Sequence, residues 1–315
     1  MQWVDRIGRR LKLRDLHILL TVVRWGSMAK AAAELAISQP AVSKAIADME
    51  HTLGLRLLDR SRNGIEPTAY GRALVRRGLV IFDELKHGVE ELAFLADPTA
   101  GELRIGSTES IAAGLLPAVI ERFSRAYPRV HLDVAQAVIS TLNYRELRER
   151  SIDLLIGRIP TPFAEDDLES EVVYDDQVVV VAGQQSKWAR SRRLKLADLS
   201  GEPWILPPAD TLPGSLAAEL FRANGAEMPR APITTLSIHL CCRLAASGRF
   251  VTTLPTSILR FGGRDVSLKV LPIKLSAQPR PVGIVTLKNR TLSPIVKLFI
   301  ESVHQLVKPD TKRKT

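Results

Sequence analysis

The chain has 315 residues, 45% hydrophobic and 25% charged, the balance of a globular protein with room for two or three domains. No apolar run approaches the ~20 residues that span a bilayer, and the first dozen residues lack the apolar stretch of a secretion signal; the expected compartment is the cytoplasm. The net charge of +10 suggests a polyanionic partner, and it is unevenly placed: residues 1–78 carry 14 Lys and Arg against 7 Asp and Glu, whereas 79–97 carry 1 against 5. The only cysteines, Cys241 and Cys242, are adjacent, with no CxxC spacing and no His cluster nearby, which argues against a disulfide framework or a zinc site.

Residues 11–54 read as three short helices. Leu16, Leu19, Leu20 and Val23 give the first an apolar face. Ser27 stands where an N-cap belongs before the second, whose alanines at 29, 32 and 33 suit close helix approach. Ser38 can cap the third, and Pro40 falls in its first turn, where a missing N–H is harmless. On a helical wheel Val42, Ile46, Met49 and Leu53 share one arc, and Pro40, Ser43, Lys44 and Ala47 lie opposite, with Gln39 at the exposed end.

Residues 55–68 read as a hairpin turning at Asn63-Gly64, with Pro67 confining the return strand to an edge. Thr68 can cap a long helix reaching residue 96. Along it Ile81, Leu85, Val89, Leu92 and Ala96 alternate at spacings of four and three, a seam for a second copy. Residues 97–101 read as a linker. Beyond it strands are expected at 103–106, 130–138, 152–156, 172–174, 178–182, 203–206, 233–236, 250–254, 270–273 and 282–287. Helices are expected at 111–127, 142–150, 216–224, 238–246 and 293–307. This is a parallel α/β layout in two halves, crossing over near 172 and 276.

A bulky helix end would not enter a DNA groove; this one is small and polar. Gln39 can bond adenine, Ser43 either class of base, and Lys44 guanine or phosphate, while Pro40 and Ala41 can touch a thymine methyl. Ser38 is a cap that lies on the same surface. Arg60, Arg62 and Asn63 at the hairpin tip suit phosphates or the minor groove, and Ser27, Lys30 and Thr68 are phosphate candidates. Each also has a plainer reading as a cap, turn or solvated group.

These residues resemble the LysR-type transcriptional regulators. The resemblance is carried by Leu13-Arg14-Asp15-Leu16, Gly26-Ser27-Met28-Ala29-Lys30-Ala31-Ala32, Ile37-Ser38-Gln39-Pro40-Ala41-Val42-Ser43, Leu57-Leu58-Asp59-Arg60 and Pro67-Thr68-Ala69-Tyr70-Gly71. It continues through Gly101-Glu102-Leu103-Arg104-Ile105-Gly106, Leu115-Leu116-Pro117, Tyr127-Pro128 and Ile152-Asp153-Leu154. Segments 177–183, 202–208 and 278–294 resemble the subgroup named for a regulator of a galactose-binding protein. The resemblance implies an N-terminal all-α winged helix-turn-helix (11–68), a linker and dimerisation helix (69–97), and a C-terminal α/β periplasmic-binding-protein-like domain (101–310). The latter would comprise subdomain I, about 101–172 and 277–310, and subdomain II, about 173–276. It further implies double-stranded DNA as partner, a homotetramer built as a dimer of dimers, contact with RNA polymerase, and a small-molecule effector between the subdomains.

Ligands of open α/β sheets bind beyond strand C-termini, near helix N-termini. Ser107, Thr108, Glu109, Ser110, Ser140, Thr141, Arg158, Pro208 and Ser237 are the candidates so placed. By resemblance, Ser110 and Ser140 fit positions that commonly hold effector hydroxyls. The implied effector is a sugar or polyol, or an aromatic acid. Glu109 would repel a fully anionic ligand, which tilts the expectation toward a polyol. The family often has glycine where this chain has Arg150, and a different turn from Ser247-Gly248-Arg249-Phe250.

No GxSxG, GxxxxGKS/T, HExxH or GxGxxG motif occurs, and the six histidines are scattered. An enzyme, with Ser107 and Glu109 as imagined nucleophile and base, is a poor second reading, and a secreted solute-binding protein would have no use for residues 11–96. No catalytic residue, metal or cofactor is expected.

Overall fold

The computed structural model describes residues 10–61, 64–136, 144–261, 267–276 and 279–308. The chain separates into two compact units, residues 1–89 and 90–315.

In the first unit, α1 (Leu13–Trp25) ends where Gly26 turns to φ 61°. Ser27 caps α2 (Met28–Glu34), its Oγ accepting from the Lys30 N–H at 3.4 Å. Ala36, at φ 52°, turns the chain into α3 (Gln39–Leu53), which Ser38 caps by accepting from the Ala41 N–H at 3.3 Å. The core joins Leu16, Ile18, Leu19, Val22, Val42, Ile46 and Met49 to Ala31 and Ala32. The close-packed alanines of α2 are therefore 31 and 32, whereas Ala29 and Ala33 are exposed, and Leu20 and Val23 on α1 are only half-buried.

β1 (Leu58–Ser61) and β2 (Gly64–Pro67) form the hairpin, Ser61 opposite Gly64. It is tied back at two places. The Gly26 carbonyl accepts from the Ile65 N–H at 2.9 Å, and Glu50 Oε1 on α3 accepts from the Leu57 and Leu58 N–H groups at 2.6 and 3.1 Å.

Thr68 then caps α4 (Ala69–Ala96), accepting from the Gly71 N–H at 3.0 Å and donating to the Arg56 carbonyl at 2.8 Å. The early part of α4 packs within its own unit: Leu74, Val75 and Phe82 join the core, and a Cβ on Gly78 would stand 3.0 Å from Leu16 Cδ1. From Ile81 onward a stripe stays open, Ile81 at 42% exposure rising to Val89 at 67%, Leu92 at 68% and Leu95 at 72%.

In the second unit β3 (Ala100–Ser107) starts earlier than the expected linker allows, because Ala100 and Gly101 already pair with Arg129 and Val130. The expected single helix 111–127 is two, α5 (Glu109–Ala113) and α6 (Leu115–Ala126), broken at Gly114. Pro117 has no N–H and clashes inside a helix, so it must lie in a first turn, here that of α6. Next come β4 (Arg129–Gln136), the short α7 (Arg145–Arg148), β5 (Leu154–Arg158) and β6 (Leu168–Asp176). Arg150, at φ 58°, occupies the left-handed conformation that suits the family's glycine.

Only Gln177 separates β6 from β7 (Val178–Gly183), which opens a second sheet with β8 (Trp204–Leu206), β9 (Ile233–Thr234), β10 (Val251–Pro255) and β11 (Leu268–Val270). Its helices are α8 (Leu212–Ala223), α9 (Ile238–Ala246) and α10 (Thr256–Phe261). α8 starts four residues before the expected 216 because Thr211 caps it, accepting from the Gly214 N–H at 3.1 Å, with Pro213 in its first turn. The chain returns as β12 (Arg280–Leu287) and ends in α11 (Pro294–Val307).

The first sheet runs β4-β3-β5-β12-β6 and the second β11-β7-β10-β8-β9. Neither is wholly parallel, a correction to the expected layout. β12 lies antiparallel to both β5 and β6, and β7 antiparallel to β10 and β11. A strand that returns from the far half enters the sheet in the opposite sense.

Candidate functional site

Two sites emerge, one in each unit. On α3, Gln39, Pro40, Lys44 and Ala47 are exposed along one flank, opposite buried Val42, Ile46 and Met49. Ser38 is exposed, with its hydroxyl engaged as the cap; Ala41 and Ser43 are half-buried, and the Ser43 hydroxyl donates to Met28 Sδ at 3.4 Å. Lys30 is exposed near the α2 N-terminus, whereas the Ser27 and Thr68 hydroxyls are spent on caps. The Arg60 backbone pairs with Ile65 in the hairpin. Arg62 and Asn63, and the side chain of Arg60, lie outside what is described. Glu50, which anchors the hairpin to α3, has no local sequence signal and was not anticipated.

In the second unit a cavity of about 300 Å³ opens between the two sheets. Thr108, Glu109, Ser110 and Arg158 line it, together with Gln136. The facing wall is Leu212, Pro213, Leu216, Leu236 and Ile238, with Cys241 and Thr252 beneath. That wall was missed, although Thr-Leu-Pro at 211–213 is a helix-start signal. Three expected residues do not line the cavity. Ser107 is fully buried and donates to the Thr108 carbonyl at 3.2 Å; Ser237 caps α9 through the Leu240 N–H; the Pro208 carbonyl accepts from Thr211 Oγ1 at 2.6 Å. Ser140 and Thr141 lie outside the described residues.

The charges at the cavity differ in how they are satisfied. Glu109 Oε1 accepts from the Ile238 N–H at 3.3 Å and Oε2 from Gln136 Nε2 at 3.1 Å, so this carboxylate bridges β4 to the start of α9. Arg158 is 12% exposed, and its Nη2 has no hydrogen-bond partner; the Asp176 carboxylate is 3.7 Å away. Asp176 accepts from Thr256 Oγ1, the Ser257 N–H and Ser257 Oγ at 2.7, 3.1 and 2.7 Å. Burial holds the Arg158 pKa below the usual arginine value, and the Asp176 charge opposes that only in part. Burial also raises both thiols, Cys242 to about 11, so they are neutral small side chains rather than reactive thiolates.

Asp83, Glu84 and His87 on α4 are the one group among the described residues with potential metal-ligand atoms clustered within 4.8 Å. They offer three ligands from a single helix, short of the four of a closed zinc site.

Two family descriptions match the chain: "Bacterial regulatory helix-turn-helix protein, lysR family" over residues 13–72 and "LysR substrate binding domain" over residues 96–308. The regulator GbpR of Azospirillum brasilense is 31% identical over 286 residues, covering 90% of this chain and 83% of its own. The dual regulator GltC of Bacillus subtilis is 27% identical, covering 94% and 97%. A full-length OxyR variant from Pseudomonas aeruginosa superposes with TM-score 0.68 at 20% identity, covering 93% of this chain and 98% of its own. Full-length CbnR, solved with its target DNA, gives 0.54 at 22% identity, covering 95% and 100%.

Proposed function

Because this chain belongs to the LysR family of DNA-binding transcriptional regulators, we propose that its helix α3 reads base edges in the major groove through Gln39, Pro40, Ala41, Ser43 and Lys44. The protein is a regulator with an effector-binding domain, not an enzyme. Arg60, Arg62 and Asn63 hold the backbone from the hairpin, and Ser27, Lys30, Ser38 and Thr68 place helix N-termini and side chains toward phosphates. Residues 11–68 form the DNA-binding domain, 69–97 the dimerisation helix and 101–310 the effector domain, its two subdomains meeting at the cavity. Two dimers assemble into a tetramer and work in the cytoplasm on double-stranded DNA and RNA polymerase. No helix among the described residues is long and apolar enough to cross a membrane.

The effector, a polyol or an aromatic acid, binds at Thr108, Glu109, Ser110 and Arg158; Ser140, by resemblance, and Thr141, its neighbour in sequence, remain candidates. Its binding changes the balance between two arrangements of the assembly and so the transcriptional output.

The observation that carries this reading is the exposed, small and polar start of α3 above a buried apolar arc. A gel shift on DNA upstream of the protein's own gene, at two salt concentrations and against unrelated DNA of equal length, tests it. Selective retention at the higher salt supports base readout. Equal loss from both DNAs leaves only charge attraction and removes the proposal for that operator.

A further inference from the structure

We propose that the second unit carries a DNA-contacting surface of its own: Lys187, Arg190, Arg192, Arg193 and Lys195 hold phosphates of double-stranded DNA without regard to base sequence. This rests on the chain's membership of a DNA-binding family and not on base readout by α3.

Residues 187–195, Lys-Trp-Ala-Arg-Ser-Arg-Arg-Leu-Lys, hold five cations and no acid, in a chain whose whole net charge is +10. Local structure turns all five outward. Ser186 caps a single tight helical turn (Lys187–Arg190), its Oγ accepting from the Trp188 N–H at 3.4 Å. Ala189 is buried, and Trp188 and Leu194 pack against the core of the second sheet. The Leu194 N–H donates to the Pro272 carbonyl at 3.3 Å, so the segment is pinned on each side of its arginines. What stays exposed is the five charged side chains. Two more exposed cations stand beside them. Lys274 follows Ile273, which bridges to Leu194, and Arg249 follows Gly248, where a Cβ would stand 3.2 Å from the Ser186 nitrogen.

Little of this charge is answered within the protein. Glu202 pairs with Lys187 Nζ at 2.7 Å, and the Asp198 carboxylate accepts from the Lys195 backbone N–H at 2.8 Å. Among the described residues the side chains of Arg190, Arg192, Arg193 and Lys195 form no ion pair. A face that serves solubility mixes both signs of charge. A membrane-binding face adds apolar side chains, and a protein-binding one has an apolar centre and few lysines. Residues 184–202 expose no large hydrophobic side chain. Three of the five cations are arginines, whose planar fork matches phosphate. A duplex presents one negative charge per about 1.7 Å, so it can face all five together. Such contacts add affinity and orientation but carry no sequence information.

Titrations of the full chain on the DNA upstream of its own gene and on unrelated DNA of equal length, at several salt concentrations, test the surface. The triple variant Arg190→Gln/Arg192→Gln/Arg193→Gln should lose affinity on both DNAs, and its salt slope should fall by ~2–3, about 0.9 for each phosphate contact removed. The ratio of affinities for the two DNAs and the circular dichroism should not change. Changing the same three residues to Lys should restore most of the binding. Lys288→Gln/Lys297→Gln, which removes two exposed charges beside the first sheet, should leave the slope as it is. A photoactivatable aryl azide carried on Arg192→Cys should cross-link to the DNA. A triple variant that binds like the parent, or that loses affinity at an unchanged slope, overturns the proposal. An equal fall per charge in the Lys288/Lys297 variant reduces the effect to net charge and also overturns it. Intact DNA binding with lost transcription in a purified system makes the surface one for an acidic protein instead. Failure of base readout shows elsewhere, as a parent protein that binds the two DNAs alike.

Discussion

The carboxylate of Glu109 and the backbone N–H of Ile238, 129 residues apart in the chain, meet at 3.3 Å across the cavity. One is in the first turn of α5 beside the first sheet, the other at the start of α9 beside the second. The contact puts a negative charge at the N-terminus of α9, beside its Ser237 cap, while it joins the two halves. Glu109→Ala should lower the unfolding midpoint of the full chain by about 2 °C, as expected for loss of ~0.3–1 kcal/mol. Glu109→Gln should lose less. Unchanged midpoints for both would show that the bridge is not made in solution.

Helix α3 and the hairpin should fail in different ways. Gln39→Ala should cost ~1–3 kcal/mol at one base step if its contact is bidentate, and relax preference there. Arg60→Ala should weaken binding on every sequence and reduce the salt slope by ~0.9. Titrations on operator and scrambled DNA at several salt concentrations separate the two. Equal, sequence-independent losses from both sink the readout role of Gln39.

The exposed stripe on α4 should be a subunit contact. Leu85→Asp and Leu92→Asp each place a charge in the Ile81-to-Leu95 surface. Either should shift the protein toward monomer in sedimentation and weaken binding to a two-half-site operator, leaving the circular dichroism unchanged. A variant that remains fully assembled removes the seam assignment.

A buried ion network should shape the acid limb. Burial raises the Asp153 pKa, but hydrogen bonds from Arg104 and the charges of Arg104 and Arg290 outweigh it and hold the carboxyl below its usual 3.8. Its contribution is therefore fully present above that value and is lost as pH falls through the lower folded value. Arg290 Nη2 stands 3.0 Å from this carboxylate with its side chain 1% exposed. Asp153→Asn should cost about 3 kcal/mol at pH 7 and flatten the pH dependence of stability below pH 4. Urea titrations at pH 7 and pH 3 check both.

A glycine at the start of α4 should be irreplaceable. A Cβ at Gly71 would sit 2.0 Å from the Leu57 carbonyl oxygen and 3.2 Å from Pro67 Cβ, and backbone cannot yield as a side-chain tip can. Gly71→Ala should destabilise the first unit by about 2–3 kcal/mol. Thermal melts of the full chain, followed through the helical signal, report it.

What was legible in the sequence was local. Ser27 and Ser38 announce helix starts through their own hydroxyls, and helix 238–246 begins and ends where its Ser cap and apolar spacing place it. The exposed flank of Gln39, Pro40 and Lys44 follows from helical periodicity alone. What escaped depends on distant partners. Nothing near Glu50 foretells its grip on Leu57 and Leu58, and nothing near Glu109 foretells Ile238. The antiparallel sense of β12 is set by where the chain has been since residue 176, and apolar content does not encode direction. Ser107 and Ser237 stand after a strand and before a helix, but such hydroxyls are often consumed by nearby backbone: Ser107 donates to the Thr108 carbonyl and Ser237 caps α9.

The place of β12 bears on how the protein is made. It is inserted between β5 and β6, so β6 has no ladder partner until residues 280–287 have been synthesised. The second sheet draws only on residues 178–270 and is complete in the emerging chain before the first can close. The ribosome thus delivers the inner half ready to fold, and leaves the outer half waiting, with β6 unpaired, for its last strand and final helix.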